Sequence, residues 1–483
     1  MTYHFIEGGF FNMDLSDQLM GFFHPEGIAV FGSMREDWFF GASVVVKELQ
    51  SLGYKGTIYP VNPGAKSVYG LKVYPHISKV EGKVDLAVII TSCKYVPEIL
   101  RSCGRKGIKA VVVVSDGFAE NGQEGKRRQD EIVGIARENG IRIIGPNTLG
   151  IYSPSQHLST IPYEKGYNLP PLGGLSIVTQ TGMYGPQAVA LNEYRFGINT
   201  IMDLGNMCDV DEVDCLKYLE QDVDTRVIAL YIENIRRPGE FLETARRISG
   251  SKPILCLKGG RAPEAASAMA SHTGAIAGSD NLYDALFRQA GVIRVEEYED
   301  LLDCPKVFLA QDLPKGNRLG VISLTGAIGI QCIDAAAAYG LMLGGLNMKS
   351  KEELFRISTT LGTHPIDLGP ASASDGLDLF SYYQKCFDVL MEDENIDCIY
   401  LNTYISSYLQ PEHYEGVLKH MGNHLMKPVV SWSYGPSSES VRKLGSLTES
   451  HGIPFFPTTH KSIKALGYLV KYARWRESLG GKP

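Results

Sequence analysis

Residues 28–33 read IAVFGS, four apolar residues followed by Gly32 and Ser33. Short runs rich in Val and Ile then alternate with amphipathic stretches as far as Gly150. Strands that are apolar throughout belong to a parallel sheet whose two faces are both covered by helices. The pattern therefore predicts an α/β fold that begins with a Rossmann-type unit. The further apolar runs are TIYPV (57–61), LAVII (86–90), AVVVV (110–114) and IRII (141–144).

Two further α/β units follow the first one. Residues 151–172 carry Pro, Ser and Tyr without periodicity and predict a linker. We expect domains at 21–150, 170–312 and 317–478. The stretches LSIVTQTGMYG (175–185) and LGVISLTGAIG (319–329) share a strand, a T-G-x-x-G turn and a helix start, which predicts an internal repeat. A chance likeness between two α/β turns is the alternative.

Composition narrows the function class. The chain has 483 residues, enough for about three domains at roughly 150 residues each, and a formal net charge of -7 without a dense basic block. That balance argues against binding to nucleic acids or anionic membranes. The nine cysteines form no C-x-x-C pair, which predicts reduced thiols in a reducing compartment. With no signal-peptide pattern and no apolar run of about 20 residues, we expect a cytoplasmic protein.

The ends of the first unit's strands predict a ligand groove. Gly32 and Ser33 follow the first strand, and small or turn-forming residues follow the later ones at Ser92, Ser115 and Asn147. Parallel sheets bind ligands at this edge, where helix amides suit phosphate. The second strand leads to Lys66, which suits a phosphate better than a ribose. A dehydrogenase is disfavoured because G-x-G-x-x-G is absent; plain turns with a solvated lysine are the alternative.

His272 stands in SAMASHTGAIAGSD (267–280), where small residues leave its ring accessible. The segment follows the strand KPILCLK, and Ser279 or Asp280 suits the N-cap of the next helix. A phosphoryl group could approach such a ring. A carboxylate on Nδ1 would fix the tautomer that leaves Nε2 as the nucleophile, and Glu233, at the end of the run YIE, is the candidate for that carboxylate. Thr181 and the amides after it could hold phosphate oxygens. A histidine with a surface or packing role is the alternative.

The acidic stretch DLGNMCDVDEVD (203–214) permits two interpretations. Its carboxylates could bind Mg²⁺ or Ca²⁺. Alternatively, Asp209, Asp211 and Asp214 serve as N-cap and first-turn charges of the following helix, which the helix dipole favours. We favour capping and predict no metal site on this chain.

Taken together, these motifs resemble the ADP-forming (NDP-forming) acyl-CoA synthetases, relatives of the succinyl-CoA synthetase α subunit. The resemblance covers about residues 21–474, and the segment around His272 is its most specific part. It implies a CoA-binding Rossmann-type domain followed by two flavodoxin-like parallel-sheet domains. The supporting strings, in order, are AVFGS, YPVNPGAKSVYGLKVYP, VDLAVI, GPNTLGIYSP, IVTQTGMYG, LGNMCDVDEVDCLKYLEQD, KPILCLKGGRAPEAASAMASHTGAIAGSD, HPIDLG, KPVV and GIPFFPT.

The resemblance also implies a reaction and its residues. Acyl-CoA, ADP and phosphate would be interconverted with carboxylic acid, ATP and CoA through an acyl phosphate and a phosphohistidine. His272 would carry the phosphoryl group and Glu233 would orient it. Phosphate would be held by Thr181, Gly182, Thr273 and Gly274. CoA would be bound by Gly32, Ser33, Pro63, Lys66, Ser92, Ser115 and Asn147.

Two departures from the family pattern matter. The chain shows no ATP-grasp domain and no P-loop, so we expect an ATP-grasp β subunit to supply the ADP/ATP site with its Mg²⁺, in an α2β2-type assembly. The strings SLTGAIG and ITSC also differ from the family's usual forms, which leaves the acyl group and the details of CoA contact open. A protein that senses CoA or acyl-CoA without turnover is the alternative function.

Overall fold

The computed structural model describes residues 15–163, 172–184, 196–262, 264–265, 280–374 and 378–480. Two compact units divide the chain, and each is described by itself. The first comprises residues 1–248 and 256–290, and the second comprises residues 249–255 and 291–483. Within the described ranges, no helix is both long and apolar enough to cross a membrane.

The first unit opens with a parallel sheet. Its strands are β1 (Gly27–Gly32), β2 (Thr57–Val61), β5 (Leu86–Ile90), β6 (Ala110–Val113) and β7 (Arg142–Ile144), in the order β2-β1-β5-β6-β7. A short hairpin, β3 (Ser67–Val68) and β4 (Leu71–Lys72), follows β2. The sheet order reverses between β1 and β5, and such a switch point is where open α/β sheets bind ligands. The helices of this part are Leu15–Phe23, Ala42–Ser51, Val96–Lys106 and Gly122–Asn139.

A second sheet completes the first unit. Its strands are β8 (Ile151–Ser153), β9 (Leu158–Ser159), β10 (Leu172–Thr179), β11 (Ile198–Asp203), β12 (Val227–Ile232) and β13 (Ile254–Lys258), in the order β13-β12-β10-β11-β8-β9. β10 pairs in parallel with β11 and β12, and the order switches between β10 and β12. The helices are Glu212–Gln221, Pro238–Ser249 and Asp280–Ala290. The described part of the last helix begins at Asp280, and Ser279, the other suggested N-cap residue, lies outside the described residues.

The prediction of a linker over 151–172 was wrong for its first part. β8 pairs antiparallel with β11, and β9 pairs antiparallel with β8. Ile151, Tyr152 and Leu158 are buried. Strands this short carry too few residues to show an alternating pattern, so they gain their pairing from the edge of a sheet formed elsewhere in the chain.

The second unit contains a third sheet, which is parallel. Its strands are β15 (Arg318–Ser323), β16 (Met342–Leu343), β17 (Ile366–Asp367), β18 (Cys398–Tyr404) and β19 (Val429–Tyr434). β15 lies between β16 and β18, as β10 lies between β11 and β12, so the two stretches with the T-G-x-x-G turn begin sheets of similar order. The unit also contains β14 (Ile293–Arg294). Its helices are Asp300–Asp303, Pro305–Ala310, Gly326–Ala338, Met348–Ile357, Leu368–Ser374, Leu379–Glu392, Glu415–Asn423, Ser438–Ser450 and Thr459–Ser478.

Large buried rings and one buried ion pair hold the second unit together. Tyr383 and Phe387 on the helix Leu379–Glu392 are at most 1% exposed. On the last helix, Lys464 is 2% exposed and its Nζ lies 3.1 Å from Oδ2 of Asp300. A buried charge needs such a partner, because removing one member would leave the other uncompensated.

Candidate active site and coenzyme cavity

Two cavities open along the carboxyl edges of the first unit's sheets. We name the first, of about 620 Å³, the switch-point cavity, because it lies at the ends of β1, β2 and β5. We name the second, of about 660 Å³, the carboxylate cavity, because Asp116, Asp203 and Glu233 line it. Thr91 lines both cavities, so they are neighbours along one edge.

Glycine at position 32 gives the switch-point cavity its shape. Gly32 ends β1 with φ +148°, and a Cβ there would lie 2.2 Å from the Ile90 carbonyl oxygen and 2.8 Å from Cβ of Ala42. Only glycine tolerates that backbone and that closeness. The Asn62 side-chain amide donates to the Gly32 carbonyl at 2.8 Å. The turn that contains Pro63 is thereby held beside the end of β1.

A polar network forms the opposite wall of the switch-point cavity. Ser102 Oγ lies 3.3 Å from Nε2 of His76 and donates to Glu98. Arg105 donates to the same carboxylate at 2.9 Å, and this hydrogen bond lowers the pKa of Glu98. The wall therefore combines apolar packing from Ile99 with polar groups that already have partners.

The carboxylate cavity is built from the strand ends of two sheets. From the first sheet come the ends of β5, β6 and β7, and from the second come the ends of β10, β11 and β12. Phe40 and Tyr163 add two rings. The remaining lining residues are Ile90, Thr91, Ser92, Val114, Ser115, Asp116, Asn147, Thr148, Leu149, Gln180, Thr181, Gly182, Met183, Asp203, Gly205, Asn206 and Glu233.

Gln180 fixes the backbone at Glu233. Its Oε1 accepts hydrogen bonds from the Glu233 amide at 2.7 Å and the Asn234 amide at 3.3 Å, and its Nε2 donates to the Asn234 carbonyl at 3.0 Å. Gln180 follows β10 and Glu233 follows β12, so this one side chain ties the two strand ends together. It thereby holds the backbone of Glu233 at the wall of the cavity that Thr181 and Gly182 also line.

Asp203 joins the two sheets. Its Oδ2 accepts from the Leu149 amide at 2.6 Å, and its Oδ1 accepts from the Gly205 amide at 3.2 Å. Burial, with a smaller contribution from the nearby charge of Glu233, raises the pKa of Asp203 to about 6 despite these hydrogen bonds. This carboxyl therefore holds one wall of the cavity and keeps a proton to higher pH than an exposed carboxyl does.

Asn206 makes a second connection between the sheets. Its side-chain amide donates to Glu120 and, at 3.1 Å, to Oε1 of Gln129. Asn147 donates to its Oδ1 at 3.4 Å. The amide of Gly117 donates to Glu120 at 2.6 Å, so the turn after β6 is anchored to the turn after β11.

The acidic stretch before the helix Glu212–Gln221 caps that helix, as predicted. Asp211 is the N-cap, and its Oδ1 accepts from the amides of Val213 at 3.0 Å and Asp214 at 3.2 Å. Two arginines also neutralise the stretch: Arg142 pairs with Asp209 and Asp214, and Arg237 pairs with Asp211 and Asp214. In the described part of the chain, no group of three or more His, Cys, Asp or Glu residues could hold a metal ion.

The two cavities bring together most of the site residues that the sequence suggested. Lys66 lines neither cavity and is exposed. His272, Thr273 and Gly274 lie outside the described residues. The switch-point cavity includes Gly32, Ser33 and Pro63, and the carboxylate cavity includes Ser92, Ser115, Asn147, Thr181, Gly182 and Glu233.

Sequence reasoning missed several lining residues. Phe40 and Tyr163 lie in irregular stretches far apart in the chain, and no sequence pattern marks them. Asp203 and Asn206 fall in the acidic stretch whose other carboxylates drew attention, and Gln180 directly precedes the T-G turn. Gln180, Asp203 and Asn206 could have been identified from the sequence because they lie at or just after the ends of predicted strands, where parallel sheets bind ligands.

Comparison with known proteins adds the family context. A CoA binding domain model matches residues 26–154, and a model of the succinyl-CoA ligase like flavodoxin domain matches residues 172–308. The chain is 33% identical over 470 residues to acetate–CoA ligase [ADP-forming] II of Archaeoglobus fulgidus, covering 95% of this chain and 67% of that protein. It is 33% identical over 465 residues to acetate–CoA ligase [ADP-forming] II subunit alpha of Pyrococcus furiosus, covering 94% and 97%.

A solved structure agrees with these relatives. The dinucleotide forming acetyl-coenzyme A synthetase 1 of Ca. Korarchaeum cryptofilum, in complex with phosphate and ADP, superposes with a TM-score of 0.84 at 30% identity. The match covers 96% of this chain and 98% of that one.

Proposed function

The chain belongs to the ADP-forming acyl-CoA synthetases of the succinyl-CoA ligase superfamily, and we propose that it carries the acyl-CoA half of the reaction. It is an acid–thiol ligase that uses CoA and ADP/ATP. One observation carries the proposal. The carboxylate cavity is lined by strand ends from two sheets, and it lies next to the switch-point cavity. A CoA-sensing protein without turnover is not favoured, because relatives that match 94% and 95% of the chain are named as ligases.

The proposed CoA site spans both cavities. The nucleotide end of CoA would bind in the switch-point cavity at Gly32, Ser33 and Pro63, with exposed Lys66 reaching its phosphates. The thioester end would pass Thr91 into the carboxylate cavity, where Ser92, Ser115 and Asn147 are available. The shared lining residue Thr91 supports this path, since an extended ligand needs continuous space.

The proposed chemistry takes place in the carboxylate cavity. A phosphate oxygen attacks the thioester carbonyl, the C–S bond breaks, and CoA leaves with its sulfur's electron pair, which yields an acyl phosphate. His272 Nε2 then attacks the phosphorus and releases the carboxylate. Glu233, whose backbone is held by Gln180, would accept a hydrogen bond from Nδ1–H, which fixes the tautomer and stabilises the cationic ring. Thr181, Gly182, Thr273 and Gly274 would hold the phosphate oxygens.

The phosphoryl group would finally pass to ADP on a partner subunit. The Pyrococcus furiosus relatives are named as alpha subunits, which implies such a partner. We propose an ATP-grasp β subunit in an α2β2-type assembly, with Mg²⁺ bound to the nucleotide there.

We also propose domain boundaries at 21–150, 170–312 and 317–478. The nine cysteines are all free thiols, which supports a cytoplasmic location.

Phosphorylation of His272 tests the proposal. The chain and its partner subunit, incubated with radiolabelled ATP and Mg²⁺, should acquire an acid-labile, base-stable label. In His272→Asn the label should disappear and overall turnover should fall by about 10³-fold or more, because no other group replaces the nucleophile. Glu233→Gln should retain a labelled histidine but label it about 100-fold more slowly.

The matched control is His424→Asn, which changes an exposed histidine on a helix end of the second unit. It should label and turn over like the unaltered protein. Undiminished label in His272→Asn would contradict the phosphohistidine, and CoA binding without any label would favour the sensing function.

A further inference from the structure

The carboxylate cavity has an apolar wall that phosphate chemistry does not require. The rings of Phe40 and Tyr163 meet edge to face with centroids 5.0 Å apart, and their backbones form a β-bridge. The Gly41 amide donates to the Pro162 carbonyl at 2.8 Å, which fixes this pair of segments. Neither ring comes from a strand end, so the wall is an addition to the phosphate-binding edge.

A second apolar pair lies at the Thr181–Gly182 turn. A Cβ at Gly182 would lie 2.2 Å from Cδ1 of Leu149, so the turn and the leucine are in close contact. Met183 follows, is 47% exposed, and lines the same cavity. Methionine is unbranched and adapts its shape to an apolar ligand.

The charged side chains that line the cavity in the described part of the chain are all acidic. Its ionisable carboxylates are Asp116, Asp203 and Glu233, and no lysine, arginine or histidine is among its lining residues in the described ranges. Away from the positions proposed for phosphate and His272, a second carboxylate on the acyl group would meet these acids, and none of the described lining residues is basic. Like charges in a confined site disfavour such a ligand.

The volume of the cavity also favours a large acyl group. A volume of about 660 Å³ lies in the range that accommodates a ligand of drug size. The acyl group would share this space with the thioester end of CoA and with phosphate, and an acetyl group is too small to cover Phe40 and Tyr163 as well. A larger hydrocarbon group would cover them and gain the free energy of apolar burial.

Resting on the proposed function, we propose that this enzyme acts on a bulky, uncharged hydrocarbon monocarboxylic acid, and that Phe40, Leu149, Tyr163 and Met183 form its acyl pocket. Acetate would be too small to cover the apolar wall. A dicarboxylate such as succinate would place a second charge against the three acids.

Four CoA compounds test the substrate class by isothermal titration calorimetry on the full chain. 4-Methylpentanoyl-CoA and succinyl-CoA have the same shape, but only succinyl-CoA carries a terminal charge; acetyl-CoA and free CoA are the references. We expect 4-methylpentanoyl-CoA to bind at least about ten-fold more tightly than acetyl-CoA and than succinyl-CoA. Tighter binding of acetyl-CoA or succinyl-CoA would overturn the acyl-pocket proposal. Failure of all four to bind would instead contradict the proposed CoA site.

Two variants locate the pocket. Phe40→Ala should lower the affinity for 4-methylpentanoyl-CoA about ten-fold relative to free CoA, because the ring no longer covers the acyl chain. Met183→Lys should shift the ratio of succinyl-CoA to 4-methylpentanoyl-CoA affinity at least ten-fold toward succinyl-CoA, since it places a positive charge near the succinyl carboxylate.

The control is Met348→Lys, which changes a methionine that is 68% exposed on a helix of the second unit. It should leave both ratios unchanged, and thermal unfolding will verify that each variant is folded. Equal loss of affinity for all ligands in Phe40→Ala, or an unchanged ratio in Met183→Lys, would reject the pocket.

Discussion

The switch-point cavity and the carboxylate cavity are similar in volume but differ in construction. Among the described residues, those that line the first lie between Phe31 and Ser102, in one sheet and its connections. The second is lined by residues from Phe40 to Glu233, and side chains such as Asp203 and Asn206 join its two halves. The shape of the first therefore depends on backbone conformation at one strand end, while the second depends on buried polar contacts between sheets.

Gly32→Ala is the substitution that we expect to disturb the switch-point cavity most. The new Cβ would collide with the Ile90 carbonyl and with Ala42 in a backbone conformation that alanine rarely adopts. We expect a loss of about 3–5 kcal/mol in the free energy of unfolding and at least 100-fold weaker CoA binding. Chemical denaturation and calorimetry measure the two effects.

Gly41→Ala is the matched control for that change. Gly41 also has a positive φ, +131°, but a Cβ there meets nothing within 4 Å. It should cost about 1–2 kcal/mol from strain alone, without the steric collision. Equal losses in the free energy of unfolding in both variants would show that the close contacts around Gly32 do not determine the shape of the cavity.

Asp203→Asn tests the electrostatic character of the second cavity. In the folded protein the pKa of Asp203 is raised from 3.8 to about 6, so the folded state holds the proton more tightly than the unfolded state does. Relative to the variant, the unaltered protein should be most stable below about pH 4. It should lose about 3 kcal/mol as the pH rises from about 4 to 6, and then remain level.

Urea unfolding of both proteins between pH 4 and 8 provides the measurement. The slope of the stability difference is the readout, because loss of one hydrogen bond in the variant adds only a constant offset. A flat difference across this range would mean that Asp203 is not a buried titrating group.

Lys66→Ala should have the smallest effect. Lys66 is exposed, so its stability contribution is small, and a solvated lysine near a phosphate adds modestly to affinity. CoA binding should weaken about two- to ten-fold at low salt, and the difference should shrink as salt screens the charge. Lys55→Ala, at the opposite end of β2, should leave binding unchanged; equal effects from both lysines would remove Lys66 from the site.

The repeating pattern of apolar runs identified the parallel sheets, because a buried strand needs consecutive apolar residues and the spacing between runs leaves room for helices. The same logic located Gly32, Ser115 and Asn147 at strand ends. It failed at β8 and β9, whose two or three residues show no pattern. It favoured capping for the acidic stretch but did not show that Arg142 and Arg237 pair with its carboxylates.

By itself, the sequence determined the α/β class, the strand-end positions of the candidate site residues and the family to which the chain belongs. Those properties follow from local patterns, in which neighbouring residues specify one strand, turn or helix. Only the tertiary structure decided that Phe40 meets Tyr163, that Gln180 holds Glu233 and that Asp203 is buried between two sheets. Such contacts join residues far apart in the chain, and their energy depends on distance and burial, which no local pattern contains.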